Sequence, residues 1–127
     1  ESEKEKLHPF TKSRIEAGIP VSAKQYIEAI ENAKKMQQTL SKFFNKFDAI
    51  ITPAATGQAP RDLMNTGNAI FNGYWTMMGV PAISLPLLKG KDSLPIGIQI
   101  ISSWNEDFKL LKIAEYILQE TKKLADY

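Results

Sequence analysis

Between Gly79 and Ser102 the chain reads GVPAISLPLLKGKDSLPIGIQIIS. Two apolar runs, each led in by a proline, flank a polar turn that carries Gly90. The runs are short, apolar and bounded by turn residues, which predicts strands at Val80–Leu88 and Ile96–Ser102. In the second run Ile96, Ile98 and Ile100 fall on one face, and Gly97, Gln99 and Ile101 on the other. Two faces that are both apolar or small predict a central strand covered on both sides. That requirement makes the chain part of a layered protein in which helices flank a sheet.

The helices are read from periodicity. Ser22 followed by Gln25 has capping-box spacing, with Val21 and Tyr26 in staple positions around it. Tyr26, Ile30, Ala33, Gln37, Leu40, Phe44 and Phe47 then recur every three or four residues, with only Gln37 polar. This predicts a surface helix of about six turns that buries one face and ends near Asn45–Asp48. A short helical turn is expected from Pro9 to Gly18, a strand at Ala49–Thr52 stopped by Pro53, and a loop over Ala54–Met64.

Asn65–Met78 holds Gly67 and Gly73, yet Ala69, Asn72, Thr76 and Gly79 lie one per turn. It is read as a buried helix with a small seam, closed by Gly79 in a left-handed cap. Asn105 is expected to cap a final helix with Glu106 and Asp107 in its first turn. The order is α, β, α, β, β, α. Residues 1–21 read as a charged leader and connector, and residues 22–127 as one α/β portion.

Composition narrows the chemistry. The 127 residues contain no cysteine and a single histidine, His8, and carry a formal net charge of +2. Thiolate nucleophiles, disulfides and zinc sites of ordinary composition are therefore excluded, and neither a metal nor a cofactor is expected. The charge is too small and too interleaved to point to nucleic acid or an anionic membrane. No apolar run approaches the ~20 residues of a membrane span. A cytoplasmic location is the expectation.

A Ser–His–acid triad needs a histidine within reach of a serine, and His8 sits in the charged leader. The paired acids Glu106 and Asp107 are explained by a helix start. Gly57 and Gly67 lack phosphate-loop spacing. Ser102 and Ser103 read as a strand end. No catalytic residue is assigned. The aromatic residues Phe71, Tyr74 and Trp75 read first as core packing. The neighbouring amides Asn68 and Asn72 also allow a pocket, so Asn68, Phe71, Asn72 and Trp75 are the candidate substrate-binding residues.

Four pieces of this chain together resemble the C-terminal part of the amidase signature family. FDAIITP at Phe47–Pro53 is similar to that family's acidic residue, apolar strand and proline. FNGYWTMMGVPAISLP at Phe71–Pro86 is similar to its helix, glycine, proline and strand. LPIGIQI at Leu94–Ile100 is similar to its late strand, with Gly97 and Gln99 in place, and Asp107, Leu110, Leu111 and Ala114 match the start of its last helix. The likeness runs over roughly residues 8–121 in order and spacing.

The resemblance implies a fold class of α/β type: a partial α/β/α layered mixed sheet of three strands with flanking helices. It implies an enzyme that hydrolyses or transfers amide nitrogen with a serine nucleophile, a second serine in a cis peptide and a lysine base. Those serines lie in a glycine- and serine-rich run, whereas this chain has no Gly-Gly pair. The expectation is a C-terminal portion of an amidase that supplies scaffold and pocket wall and is inactive alone. Its substrate would be a small-molecule amide, cleaved to acid and ammonia or amine.

By the same resemblance the loop after Pro53 and the Asn65–Met78 stretch border the acyl pocket. Relatives that amidate charged transfer RNA carry an acid in that stretch, and none stands between Asn65 and Met78 here. That favours a neutral carboxamide. A component of a transfer-RNA-dependent amidotransferase and a non-catalytic binding module are the alternatives. An exposed sheet edge or apolar face is expected to favour a homo-oligomer.

Overall fold

The computed structural model describes residues 4–62 and 64–125. By its internal contacts the chain divides into two compact units, Glu1–Lys35 and Met36–Tyr127. After a short 3₁₀ turn at Lys4–Lys6, the first unit holds helix α1 (Pro9–Gly18) and the start of helix α2 (Ala23–Phe44). Pro9 opens α1, where its missing N–H costs nothing, and Phe10 N donates to His8 Nδ1 at 3.3 Å. His8 is thus an exposed helix cap. The capping box at Ser22 forms as the spacing predicts: Ser22 N donates to Gln25 Oε1 at 2.9 Å and Gln25 N to Ser22 Oγ at 3.3 Å.

The apolar stripe of α2 is present but largely open. Of its residues only Ala33 is buried, while Tyr26, Ile27, Ile30, Met36 and Phe43 are exposed and Leu40 and Phe44 half-buried. The expected burial of this face is therefore corrected. Helical periodicity selects the face a helix would bury, and burial itself needs another element laid against it.

The second unit is built on a three-stranded sheet in the order β1 (Ile50–Pro53), β3 (Pro95–Ile101), β2 (Ala82–Lys89). Both pairings are antiparallel: Ile51 lies opposite Ile100 across β1–β3, and Ile83 opposite Ile100 across β2–β3. β3 is thus central, as its composition predicts. Gln99, Ile100, Ile101 and Ser102 are buried there, so its C-terminal end is covered on both faces. Its N-terminal half is only partly covered.

β2 and β3 form a hairpin closed by Gly90 N donating to Leu94 O at 2.8 Å, with Ser93 in the left-handed region at φ 60°. The register shifts between Leu85 and Leu88, around Pro86. Proline has no N–H for the ladder, and a bulge accommodates it.

Helix α4 (Asp107–Ala125) covers one face of this sheet. Leu85, Ile100, Leu110 and Ala114 form the buried cluster, with Ile83, Leu87, Ile113, Ile117 and Leu118 packed around it. Leu110, Ala114, Ile117 and Leu118 are spaced by four, three and one, the stripe a helix lays on a sheet. Asn105 does not cap this helix. It sits at φ 61° in a tight turn closed by Glu106 N donating to Ser103 O at 3.1 Å, and Glu106 O accepts the first helical bond from Leu110 N at 2.9 Å. Asparagine tolerates the left-handed turn position better than other non-glycine residues.

The helix expected over Asn65–Met78 is confined to α3 (Gly73–Met78). Upstream of it the backbone runs through a chain of Asx turns. Asp62 Oδ1 accepts from Met64 N at 2.9 Å, Asn65 Oδ1 from Gly67 N at 2.9 Å, and Asn68 Oδ1 from Ile70 N at 3.0 Å. These side chains take the amides that a helix would need.

α3 ends as predicted. Gly79 is left-handed at φ 66°, its N–H donates to Thr76 O, and Val80 N donates to Trp75 O. The Met78 carbonyl that this Schellman closure leaves free accepts from Gln37 Nε2 at 2.9 Å. That bond explains the one polar residue in the α2 stripe.

Candidate functional site

The loop between β1 and α3, with Ser84 of β2 and the N-terminal half of β3, encloses an open cleft of about 460 Å³. Its floor is set by Gly97 in β3. Ala54 N donates to Gly97 O at 3.0 Å, continuing the strand pairing one residue beyond β1. A Cβ on Gly97 would collide with Ser84 Oγ and stand 3.0 Å from Ala54 Cβ. Glycine thus suits the close approach of Ser84 and Ala54 on either side, a common reason for glycine inside a strand. The walls are residues 54–60 with Asp62 on one side and residues 65–68 on the other, while Ser84 and Pro95 complete the lining.

The polar groups of the cleft are mostly engaged from behind. Asn65 and Asn68 use their carbonyl oxygens in Asx turns, and their NH₂ groups make no hydrogen bond among the described residues. Gln58 and Arg61 are held by the tip of the β2–β3 hairpin. Gln58 Nε2 donates to Asp92 Oδ2 at 2.6 Å, and Arg61 donates through Nη2 to Oδ1 at 2.7 Å and through Nε to Oδ2 at 3.4 Å. The Arg61 guanidinium first, and then the Gln58 amide, hold the Asp92 carboxyl below its ordinary range.

The lining has one formal charge, Asp62, one serine, Ser84, and neither histidine nor lysine. A serine hydroxyl is a weak nucleophile until a base removes its proton, so this arrangement can hold a ligand by hydrogen bonds but has no activated nucleophile. Ser102 is fully buried and its Oγ has no hydrogen-bond partner among the described residues, which fits a strand end. Lys24 and Lys109 are surface ion-pair partners of Glu28 and Asp48, at 3.9 Å and 2.8 Å. Among the described residues no cluster of histidine, aspartate and glutamate could hold a metal.

Of the four candidate residues named from sequence, Asn68 lines the cleft. Asn72 lies behind its wall, where Nδ2 donates to Ala54 O at 3.3 Å. Phe71 and Trp75 are half-buried on the same stretch of chain and do not line the cleft. Sequence reasoning missed Asp62, Gln58 and Ser84. The signal for the cleft was Gly97, since a glycine within an isoleucine-rich strand marks a place where something approaches closely.

The chain belongs to the amidase family, whose sequence model matches residues 1–111. It is 33% identical over 102 residues to a glutamyl-tRNA(Gln) amidotransferase subunit of Alkaliphilus metalliredigens, covering 75% of this chain and 21% of that protein. It is 30% identical over 109 residues to the putative amidase AmiC of Mycobacterium tuberculosis, covering 76% of this chain and 23% of that protein.

The fold is that of a crystal structure of an amidase, which superposes with a TM-score of 0.78 at 22% identity over 91% of this chain and 29% of that one. The corresponding glutamyl-tRNA(Gln) amidotransferase subunit of Thermotoga maritima superposes with a TM-score of 0.54 at 22% identity, over 86% of this chain and 27% of that one. The chain therefore spans about a fifth to a quarter of the length of the curated relatives it matches. Among the described residues no helix is long and apolar enough to cross a membrane.

Proposed function

We propose that this chain is the scaffold and one pocket wall of an amidase that hydrolyses the C–N bond of a small carboxamide to an acid and ammonia or amine. The observation that carries the reading is the cleft over Gly97 in a chain of the amidase family. Asn68 contacts the substrate there with its free NH₂, a donor suited to an amide or acyl oxygen. Asn72 buttresses the wall through Ala54 O.

The nucleophilic serine and its lysine base lie outside these 127 residues, in chain that also covers the α2 stripe. The exposed Tyr26, Ile27 and Ile30 and the open outer edges of β1 and β2 support that reading. The enzyme works in the cytoplasm without a metal or cofactor, and neither nucleic acid nor membrane is among its partners. Alone, the chain self-associates through a sheet edge or the apolar face.

The test is to substitute Asn68→Ala in the full-length enzyme and compare KM and kcat on simple carboxamides. Loss of one substrate hydrogen bond raises KM or lowers kcat/KM about ten-fold. Unchanged kinetics on every amide turned over would remove Asn68 from the site. Sedimentation of the chain as a monomer at micromolar concentration would contradict the self-association.

A second reading is a component of a transfer-RNA-dependent amidotransferase. It is favoured by the relatives named as glutamyl-tRNA(Gln) amidotransferase subunits, and by Asp62, an acid that lines the cleft just before the stretch 65–78. Co-purification of the full-length protein with its partner proteins and charged transfer RNA would select it over the first.

A further inference from the structure

We propose that the tip of the β2–β3 hairpin is a strap that holds the cleft wall in place, with Asp92 as its anchor and Gly90 as its seat. The wall 54–62 contains no helix or strand. Ala54 is tied to the sheet through Gly97 O. Beyond it, the hydrogen bonds that join residues 55–61 to other parts of the fold, among the described residues, all converge on Asp92. The anchor takes two bonds from Arg61 and one from Gln58, and its own N–H donates to Gln58 Oε1 at 3.4 Å.

A single exposed ion pair would constrain little, but a forked guanidinium joined to a reciprocated amide is a network with fixed geometry. Gly90 adds a steric element. Its missing side chain leaves room for Gln58, because a Cβ there would collide with Gln58 Oε1 and lie 2.9 Å from its Cδ and 3.0 Å from its Cβ. The strap spans 31 to 34 residues of sequence, so it closes a long loop with side chains alone.

The inference concerns the wall and does not depend on which amide the cleft takes or whether it takes one. The test is therefore backbone ¹⁵N relaxation of the full chain, without substrate, for the wild type, Asp92→Ala, Gly90→Ala and the tip control Lys91→Ala. The expected result is a drop of the order parameters of residues 55–59 from about 0.85 to below about 0.6 in both Asp92→Ala and Gly90→Ala. β3 stays rigid, and Lys91→Ala matches the wild type. Should Asp92→Ala not fold, Gly90→Ala, which keeps the carboxylate, decides alone. Order parameters that stay high at 55–59 in the folded variants would overturn the proposal. So would a loss of rigidity as large in β3 as in the wall, because it would mark general destabilisation.

Discussion

Replacing Ser102 by alanine should make the protein more stable. Ser102 is fully buried, its backbone N–H is satisfied by Pro81 O at 3.1 Å, and its hydroxyl has no partner among the described residues. A hydroxyl taken out of water without a replacement bond costs about 1–3 kcal/mol by mutational measures. Removing one oxygen leaves a void of roughly 10 Å³, which at about 24 cal/mol per Å³ returns only ~0.2 kcal/mol. The net expectation is a gain of about 1–2 kcal/mol.

Urea unfolding is the assay. With a slope of about 1–3 kcal/mol per M, the midpoint rises by roughly 0.3–2 M at unchanged slope. Ser103→Ala, at a half-buried neighbour, serves as the reference and should move the midpoint little. A Ser102→Ala protein destabilised by more than about 1 kcal/mol would instead mean that the hydroxyl is hydrogen-bonded, for instance to a buried water.

Gly97→Ala should destabilise by about 1–3 kcal/mol through the collision with Ser84 Oγ and Ala54, and adding Ser84→Ala should recover part of the loss in a thermal melt. Leu85→Ala, in the buried cluster under α4, should cost about 2–5 kcal/mol, while Ile51→Ala, at 60% exposure on the edge strand, should cost under ~1 kcal/mol. Equal losses would mean that α4 does not set the core face. The strap should respond to acid. Because the Asp92 pKa is lowered on folding, its contribution is fully present above the ordinary carboxylate range and is lost as pH falls through the lowered value. The Gln58 and Arg61 side-chain NMR signals should report that step, and Asp92→Asn should abolish it.

Much of the fold was legible because local rules and tertiary demands agree. The Ser22–Gln25 box, the Leu110–Ala114–Leu118 stripe and the alternating isoleucines of β3 each encode one element, and packing keeps it. The stretch before α3 misled because small residues one per turn look like a helix seam. The competing signal was also present: Asp62, Asn65 and Asn68 recur every third residue, and each side chain captures an amide two positions on. Asn105 was misassigned for a related reason, since asparagine serves both caps and left-handed turns.

The site was only partly legible. Asn68 is found through its polarity beside aromatic residues, whereas Gly97 is read from sequence only as a small residue on one strand face. The Gln58–Arg61–Asp92 network joins loop residues with no periodicity across more than thirty positions, so no local pattern announces it. The α2 stripe is apolar yet largely exposed, because a sequence specifies an apolar face without specifying its cover.

The most direct measurement treats the 127-residue chain alone with a serine-reactive fluorophosphonate, then maps labelled residues by mass spectrometry alongside an amide-hydrolysis assay. The account expects ammonia release no faster than in buffer and no modified serine, with Ser84 lacking a base and Ser102 sealed from solvent. Stoichiometric labelling of either serine, together with amide turnover that its alanine variant loses, would contradict it.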